Sequence, residues 1–240
     1  MTHEQAIKWL SHDEIHHTDM LEALLHRAAD IVASTANALL LSMGDGGERT
    51  LLLSSKSKND TLRFLSQIDD FLLLAIHQEE QLPALLNTLP LVVDIICYQS
   101  VYQSTTPLPT ADPAIVIRPL GMQHFQFIKK YYTADLPDEY LTDRLQTGMV
   151  FGAYTEHNLA GFIGVHAEGS IGMLEVLPAC RRQGVAHALQ TFMTNHFLQN
   201  ELVPFAQVTP ENAASIALQK KLGYTVGQEK IIWLSRCPPT

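Results

Sequence analysis

The first hundred residues alternate between helical and strand periodicities. From Asp13 to about Ser34, apolar residues fall at Ile15, Met20, Leu21, Leu24, Leu25, Ala28, Ile31 and Val32, a spacing that predicts one long amphipathic helix. ALLLSM (38–43) and TLLLSS (50–55) flank GDGGE, whose glycines tolerate positive φ, so the pair reads as a β-hairpin. TLRFLSQI (61–68) reads as a helix, FLLLAI (71–76) as a strand, EEQLPALLNTL (79–89) as a short helix and LVVDIICYQSVY (91–102) as a strand. The expected order is α-β-β-α-β-α-β.

STTPLPTADPA (104–114) then gathers Pro, Ser, Thr and Asp without any apolar period, as a linker does. The expected organisation is an N-terminal α+β domain over 1–107, a linker over 108–114 and a second domain over 115–240. In the second half IVIRPL (115–120) is a strand, and 121–132 and 137–147 are helices. Three antiparallel strands follow, over 149–155, 159–168 and 170–178, turning at Glu156-His157-Asn158 and near Gly169. Val185, Leu189, Phe192, Met193, His196 and Phe197 form one stripe of a packed helix from Gln183 to about Asn200. PFAQVTP is a strand, ENAASIALQKKLG a helix ended by Gly223, and YTVGQEKIIWL a last strand or hairpin. The order β-α-α-β-β-β-α-β-α-β mixes antiparallel strands with helices, so the fold class is α+β.

Composition narrows the function. The 240 residues are 46% hydrophobic and carry a formal net charge of −9, with no Lys/Arg cluster larger than a pair. A nucleic-acid partner is therefore not expected. The longest apolar stretches are strand-sized and no secretory leader pattern opens the chain, so neither a membrane span nor export is expected. Cys97, Cys180 and Cys237 share no short spacing, which fits a reducing cytoplasm and neither a disulfide framework nor a zinc knuckle. His12 and His16 stand one helical turn apart, but Asp13 breaks the zinc-protease pattern, and no metal is expected.

The chemistry concentrates in VLPACRRQGVAHAL (176–189 with the preceding strand), where a strand hands over to a helix. The first amides of a helix lack intrahelical partners and face outward at the positive end of the dipole. Gly184 admits a bulky anion, Ala186 keeps the surface low, and Arg181 or Arg182 can add charged hydrogen bonds. The stretch reads as a pyrophosphate cradle. It is neither a P-loop, lacking Gly-Lys-Ser/Thr, nor a dinucleotide fingerprint, which needs more glycines.

The run from Val176 to Ala186, with V-x-P ending a strand and R-x-x-G-x-A opening a helix, resembles the acetyl-CoA signature of the GNAT N-acetyltransferase superfamily. A second block, Asn212 to Tyr224, resembles the family's Asn followed by a helix ending in "kLGF". The resemblance covers about residues 114–236, and the element order matches the family's fold. It implies that pantetheine lies along the strand of Leu174 and Val176. The amides of Arg182, Gln183, Gly184, Val185 and Ala186 would hold the pyrophosphate, with Asn212 and Ser215 along the CoA arm. It implies acetyl transfer from acetyl-CoA to a primary amine of a small molecule or peptide, by direct attack and without a metal.

For the base, the candidates are Glu175 on the cofactor strand and Glu168 in the preceding turn. Strict alternation turns Glu175 away from the face of Leu174 and Val176 unless a bulge re-aims it. The tyrosine that protonates the thiolate in many relatives is replaced by Gln219, which has no proton to give. Tyr131, Tyr132, Tyr140, Tyr154 or water could supply it, and Tyr224 reads as core. The alternative reading is a non-catalytic acyl-CoA-binding or interaction module. The N-terminal half resembles a degenerate copy of the same fold, with SSKSKNDTL (54–62) at the phosphate-loop position and no glycine to admit an anion.

Overall fold

In the computed structural model the described residues are 1–26, 29–44, 49–68, 70–110, 112–134 and 136–237. They form two compact units. The first takes Met1–Val101, Gln207–Ile216 and the segment from Thr225, and the second takes Tyr102–Ala206 and Ala217–Tyr224.

The first unit opens with α1 (His3–Leu10), α2 (Thr18–His26) and β1 (Asp30–Ser34) in place of the single long helix expected over 13–34. Two local features explain the difference. Thr2 and Gln5 form a reciprocal capping box that starts α1 earlier, with Thr2 N–H donating to Gln5 Oε1 at 2.8 Å. The β-branched pair Ile31-Val32 joins a strand that pairs antiparallel with β2 (Ala38–Met43), although its spacing continued the helical stripe. Ala28 of that stripe, and most of the expected GDGGE turn, lie outside the described residues.

β2 pairs antiparallel with β3 (Thr50–Ser55), the expected hairpin partners. α3 (Lys58–Leu65) then leads to β4 (Leu73–Ile76), parallel to β3, and α4 (Leu82–Thr88) leads to β5 (Leu91–Val101). The last strand, β11 (Thr225–Arg236), lies between β4 and β5 and antiparallel to both. With β10 (Phe205–Val208) the sheet order is β1-β2-β3-β4-β11-β5-β10.

The unbroken leucine runs follow from burial on both faces of this sheet. Leu40, Leu53 and Ile76 meet Phe64 of α3 and Leu85 of α4 on one side. Leu39, Leu41 and Leu52 meet Leu10 of α1 and Met20 of α2 on the other.

The second unit follows the expected order. β6 (Val116–Pro119), α5 (Phe125–Tyr131), α6 (Asp138–Gln146), β7 (Val150–Thr155), β8 (Asn158–Val165), β9 (Ile171–Val176) and α7 (Val185–Gln199) succeed one another. β6-β7-β8-β9 form an antiparallel four-stranded sheet. Glu156 and His157 take positive φ, 46° and 70°, in the tight β7–β8 turn. Val185, Leu189, Met193 and Phe197 of α7 pack on one face of this sheet with Ile163 and Ile171. Ile128 of α5 and Leu141 and Leu145 of α6 pack on the other with Phe162 and Met173. α8 (Ala213–Lys221) follows β10. Among the described residues no helix is long and apolar enough to cross a membrane.

Candidate functional site

Strand β9 carries the first group of sequence-selected residues. Opposite β8, Glu175 faces Phe162 and Gly172 faces Gly164, so Met173 and Leu174 together oppose Ile163. That is a β-bulge, and Met173 takes the φ of 51° that such an extra residue requires. Beyond it, Leu174 and Val176 pack with the α7 core, while Met173 lies with the α5–α6 core. Glu175 stays on the face of its partner Phe162, away from Leu174 and Val176. The bulge therefore changes which face Ile171 joins and leaves Glu175 on the side of α5 and α6.

The strand ends at Val176, Leu177 N–H donates to Ala160 O at 2.9 Å, and one 3-10 turn, Pro178–Cys180, leads into the exposed segment 181–184. Gly184 precedes α7 with φ 81° and no side-chain cap. The first helical bond runs from Ala188 N–H to Gly184 O at 2.9 Å, which leaves the amides of Gly184, Val185, Ala186 and His187 without helical acceptors. Arg182, at φ 66°, is exposed and makes no hydrogen bond or ion pair among the described residues. Arg181 is committed differently. Its Nε donates to Val176 O at 3.1 Å and its Nη2 lies 3.4 Å from Glu175 Oε1. Gln183 Nε2 donates to Ala179 O at 3.0 Å, and Cys180 packs partly against the α7 core.

A second group gathers on the α5–α6 face. Burial, then the charges of Glu175 and Glu168, push the Tyr132 phenol up to about 12. Burial and the Glu168 charge raise Tyr140 as well. Both phenols therefore keep their protons through the neutral range. Tyr140 Oη accepts from Ala167 N–H at 3.2 Å and lies 2.8 Å from His166 Nδ1, while Glu168 Oε1 accepts from the Ser170 hydroxyl. The 166–170 turn that holds these groups closes with His166 N–H donating to Ser170 O at 2.9 Å. A cleft of about 230 Å³ opens beside Tyr132 and is lined also by Ile128 and Leu141. His166 and its contact with Tyr140 escape sequence reasoning, because they arise from α6 meeting a turn 26 residues away.

The other candidates lie elsewhere. Asn212 and Ser215 belong to the first unit, where Asn212 Oδ1 accepts from Ser215 N–H at 3.0 Å as an N-terminal cap of α8. Gln219 is 2% exposed. Tyr224 is also core, its hydroxyl 2.7 Å from Thr194 Oγ1 and 3.1 Å from Gln190 Nε2, with burial first raising it to about 12. Tyr154 meets His124 Nε2 at 3.3 Å.

In the first unit the segment 54–62 runs from the end of β3 into a capped helix start, with Ser57 Oγ accepting from Asp60 N–H at 3.2 Å. His12 Nδ1 bonds to Lys8 O at 2.9 Å, whereas His16 is buried with Nε2 against His77 O. The two rings thus do not share a ligand position. No group of three or more His, Cys, Asp or Glu among the described residues is placed to hold a metal ion.

Residues 148–234 match the family model of FR47-like proteins. No curated protein matches the sequence. Among solved structures, a Drosophila protein from a structural genomics programme is 16% identical, with a TM-score of 0.67, covering 99% of this chain and 88% of its own. A GCN5-related N-acetyltransferase from Kribbella flavida is 9% identical, with a TM-score of 0.61, covering 94% and 95%. A tandem GNAT protein from the clavulanic acid biosynthesis pathway is 13% identical, with a TM-score of 0.50, covering 99% and 96%. The chain has the mixed α+β fold of the GNAT N-acetyltransferases, and its FR47-like segment spans β7 to the last strand.

Proposed function

We propose that the protein is an N-acetyltransferase that passes an acetyl group from acetyl-CoA to a primary amine by direct attack. The observation that carries this reading is the start of α7. Four amides without helical acceptors, a left-handed Gly184 and an uncommitted Arg182 converge where an anion would gain both hydrogen bonds and the helix dipole. This donor set fits the pyrophosphate of acetyl-CoA. The bulged end of β9 supplies the backbone along which pantetheine would run, and the acyl carbonyl would be polarised there by strand amides. The amine would approach from the α5–α6 face, where Glu175 and Glu168 would bind an ammonium and one of them take its proton, beside two protonated phenols.

Calorimetric titration with acetyl-CoA tests the reading without knowledge of the acceptor. Micromolar binding at one site per chain is expected, weakened about 10- to 100-fold in Arg182→Ala by loss of a charged hydrogen bond. No detectable binding by the wild-type protein would remove the reading.

A second reading, a non-catalytic acyl-CoA-binding module, is favoured by one residue: the buried Gln219 stands where many relatives carry a tyrosine acid. It predicts acetyl-CoA binding with no CoA released in the presence of any amine.

A further inference from the structure

We infer that the cavity between α7 and the segment running from Asp112 into β6 is a second binding site, for a small arylalkyl amine, separate from the anion site at the start of α7. The cavity holds about 310 Å³ and lies wholly within the second unit. That volume is at the lower end of the range for small-molecule sites.

Hydrogen bonds fix both walls. Asn195 of α7 clasps the chain ahead of β6, its Nδ2 donating to Leu108 O at 2.9 Å and its Oδ1 accepting from Leu108 N–H at 2.7 Å, as a neighbouring strand would. Asp112 closes a turn, with Oδ1 accepting from Ala114 N–H at 2.9 Å and its carbonyl from Ile115 N–H at 3.0 Å. Ile115 and Ile117 then form one wall, and Ala188, Phe192 and His196, on successive turns of α7, form the other. The Phe192 and His196 rings lie within 8° of parallel, and Phe151 packs against both. Such a wall suits a flat apolar body.

The polar groups define the rest of the ligand. Thr191 lines the cavity at 2% exposure, and its hydroxyl has no hydrogen-bond partner among the described residues. A helical threonine can satisfy itself on the carbonyl one turn back, and this one does not, so a polar atom brought in by a ligand would complete it. Asp112 is exposed at the rim, and its second carboxylate oxygen has no partner among the described residues. None of the described lining residues is a lysine or arginine, and burial holds the His196 imidazole below its ordinary range, which leaves the ring uncharged at neutral pH. One negative charge with no opposing cation admits an ammonium and turns away a carboxylate or phosphate. The start of α7, with Arg182 and its free amides, has the opposite preference. An aryl ring between the walls, an ammonium at Asp112 and a hydroxyl toward Thr191 complete the match.

The probe is N,N-dimethyltyramine, a tertiary amine that acetyl transfer cannot turn into an amide, compared with the matching hydroxyphenylpropionate, which has the same body and the opposite charge. Each is titrated into ¹⁵N-labelled protein and followed by ¹H–¹⁵N correlation of the backbone and the histidine rings. The amine should shift Thr191 and the His196 ring with a Kd of about 0.1–1 mM, the level that a ligand of about twelve heavy atoms reaches, and the carboxylate should bind about tenfold more weakly. Asp112→Asn, which keeps an oxygen to accept from Ala114, should remove that preference. Unshifted Thr191 and His196, a carboxylate that binds as tightly as the amine, or an unchanged preference in Asp112→Asn would each overturn the assignment. None of these outcomes depends on whether acetyl-CoA binds.

Discussion

Lowering the pH should unfold the first unit through its buried histidines. Three rings pack together there, with His16 4.9 Å from His17 and His17 stacked 5.4 Å from His77. His77 lies between Leu53 O and the fully buried Asp19, whose Oδ1 is 2.9 Å from Nε2. His17 Nδ1 faces Asp13 O, and its Nε2 accepts from the Ser54 hydroxyl at 2.8 Å, a pattern that suits the neutral ring. Burial, then the neighbouring His77 and His16, bring His17 down to about 3 from the ordinary imidazole value of 6.5, and burial and His77 lower His16 in the same direction. The unfolded chain therefore binds protons below pH 6.5 that the folded one refuses. Stability is held above 6.5 and is lost as the pH falls below it, at up to about 1.4 kcal/mol per unit for His17, which removes about 2 kcal/mol between pH 6.5 and 4.5; His16 acts in the same direction. Burial by itself would push Asp19 up, but His77 and the Met20 amide outweigh it and keep its carboxylate low, so its contribution is likewise lost in acid. Urea unfolding followed at half-unit steps of pH reads this slope. In His17→Gln the average slope between 6.5 and 4.5 should drop by about 1 kcal/mol per unit, and an unchanged slope would refute the reasoning.

Two further outcomes concern residues of the second family-like block, Asn212 to Tyr224. Tyr224→Phe removes a buried hydroxyl bonded to Thr194 and Gln190 and should cost about 1–3 kcal/mol in thermal or urea unfolding, with acetyl-CoA affinity and the pH dependence of turnover unmoved. Asn212→Ala removes the cap of α8 and should cost about 0.5–2 kcal/mol of stability, whereas Asn212→Asp, which keeps the accepting oxygen, should retain most of it in the same assay.

The second unit was legible because its signals were local. Turn residues separate β7, β8 and β9, and the strand–Pro–Arg–Gly passage marks the start of α7 before any packing is known. The helix over 13–34 misled because Ile31 and Val32 continued a helical period while their β-branching suited a strand, and only pairing with β2 decides between the two. The bulge at Met173 and the Tyr140–His166 contact are equally hidden. Each depends on a partner strand or helix whose register no single stretch of sequence encodes. His16, notable in the sequence only for its spacing from His12, and His17 are both buried, because their partners His77 and Ser54 come from the end of β4 and from β3.

The place of β11 has a consequence for how the chain can be made and cut. An interior strand of the first unit's sheet is supplied by residues 225–236, more than a hundred positions after its neighbours β4 and β5. On the ribosome, one edge of β4 and the facing edge of β5 wait unpaired until the rest of the chain has emerged, so closure of this sheet is a late event with high contact order. An expression fragment ending near residue 107 would present two bare apolar strand edges where β11 belongs, and should aggregate unless a separate peptide spanning β11 is added back.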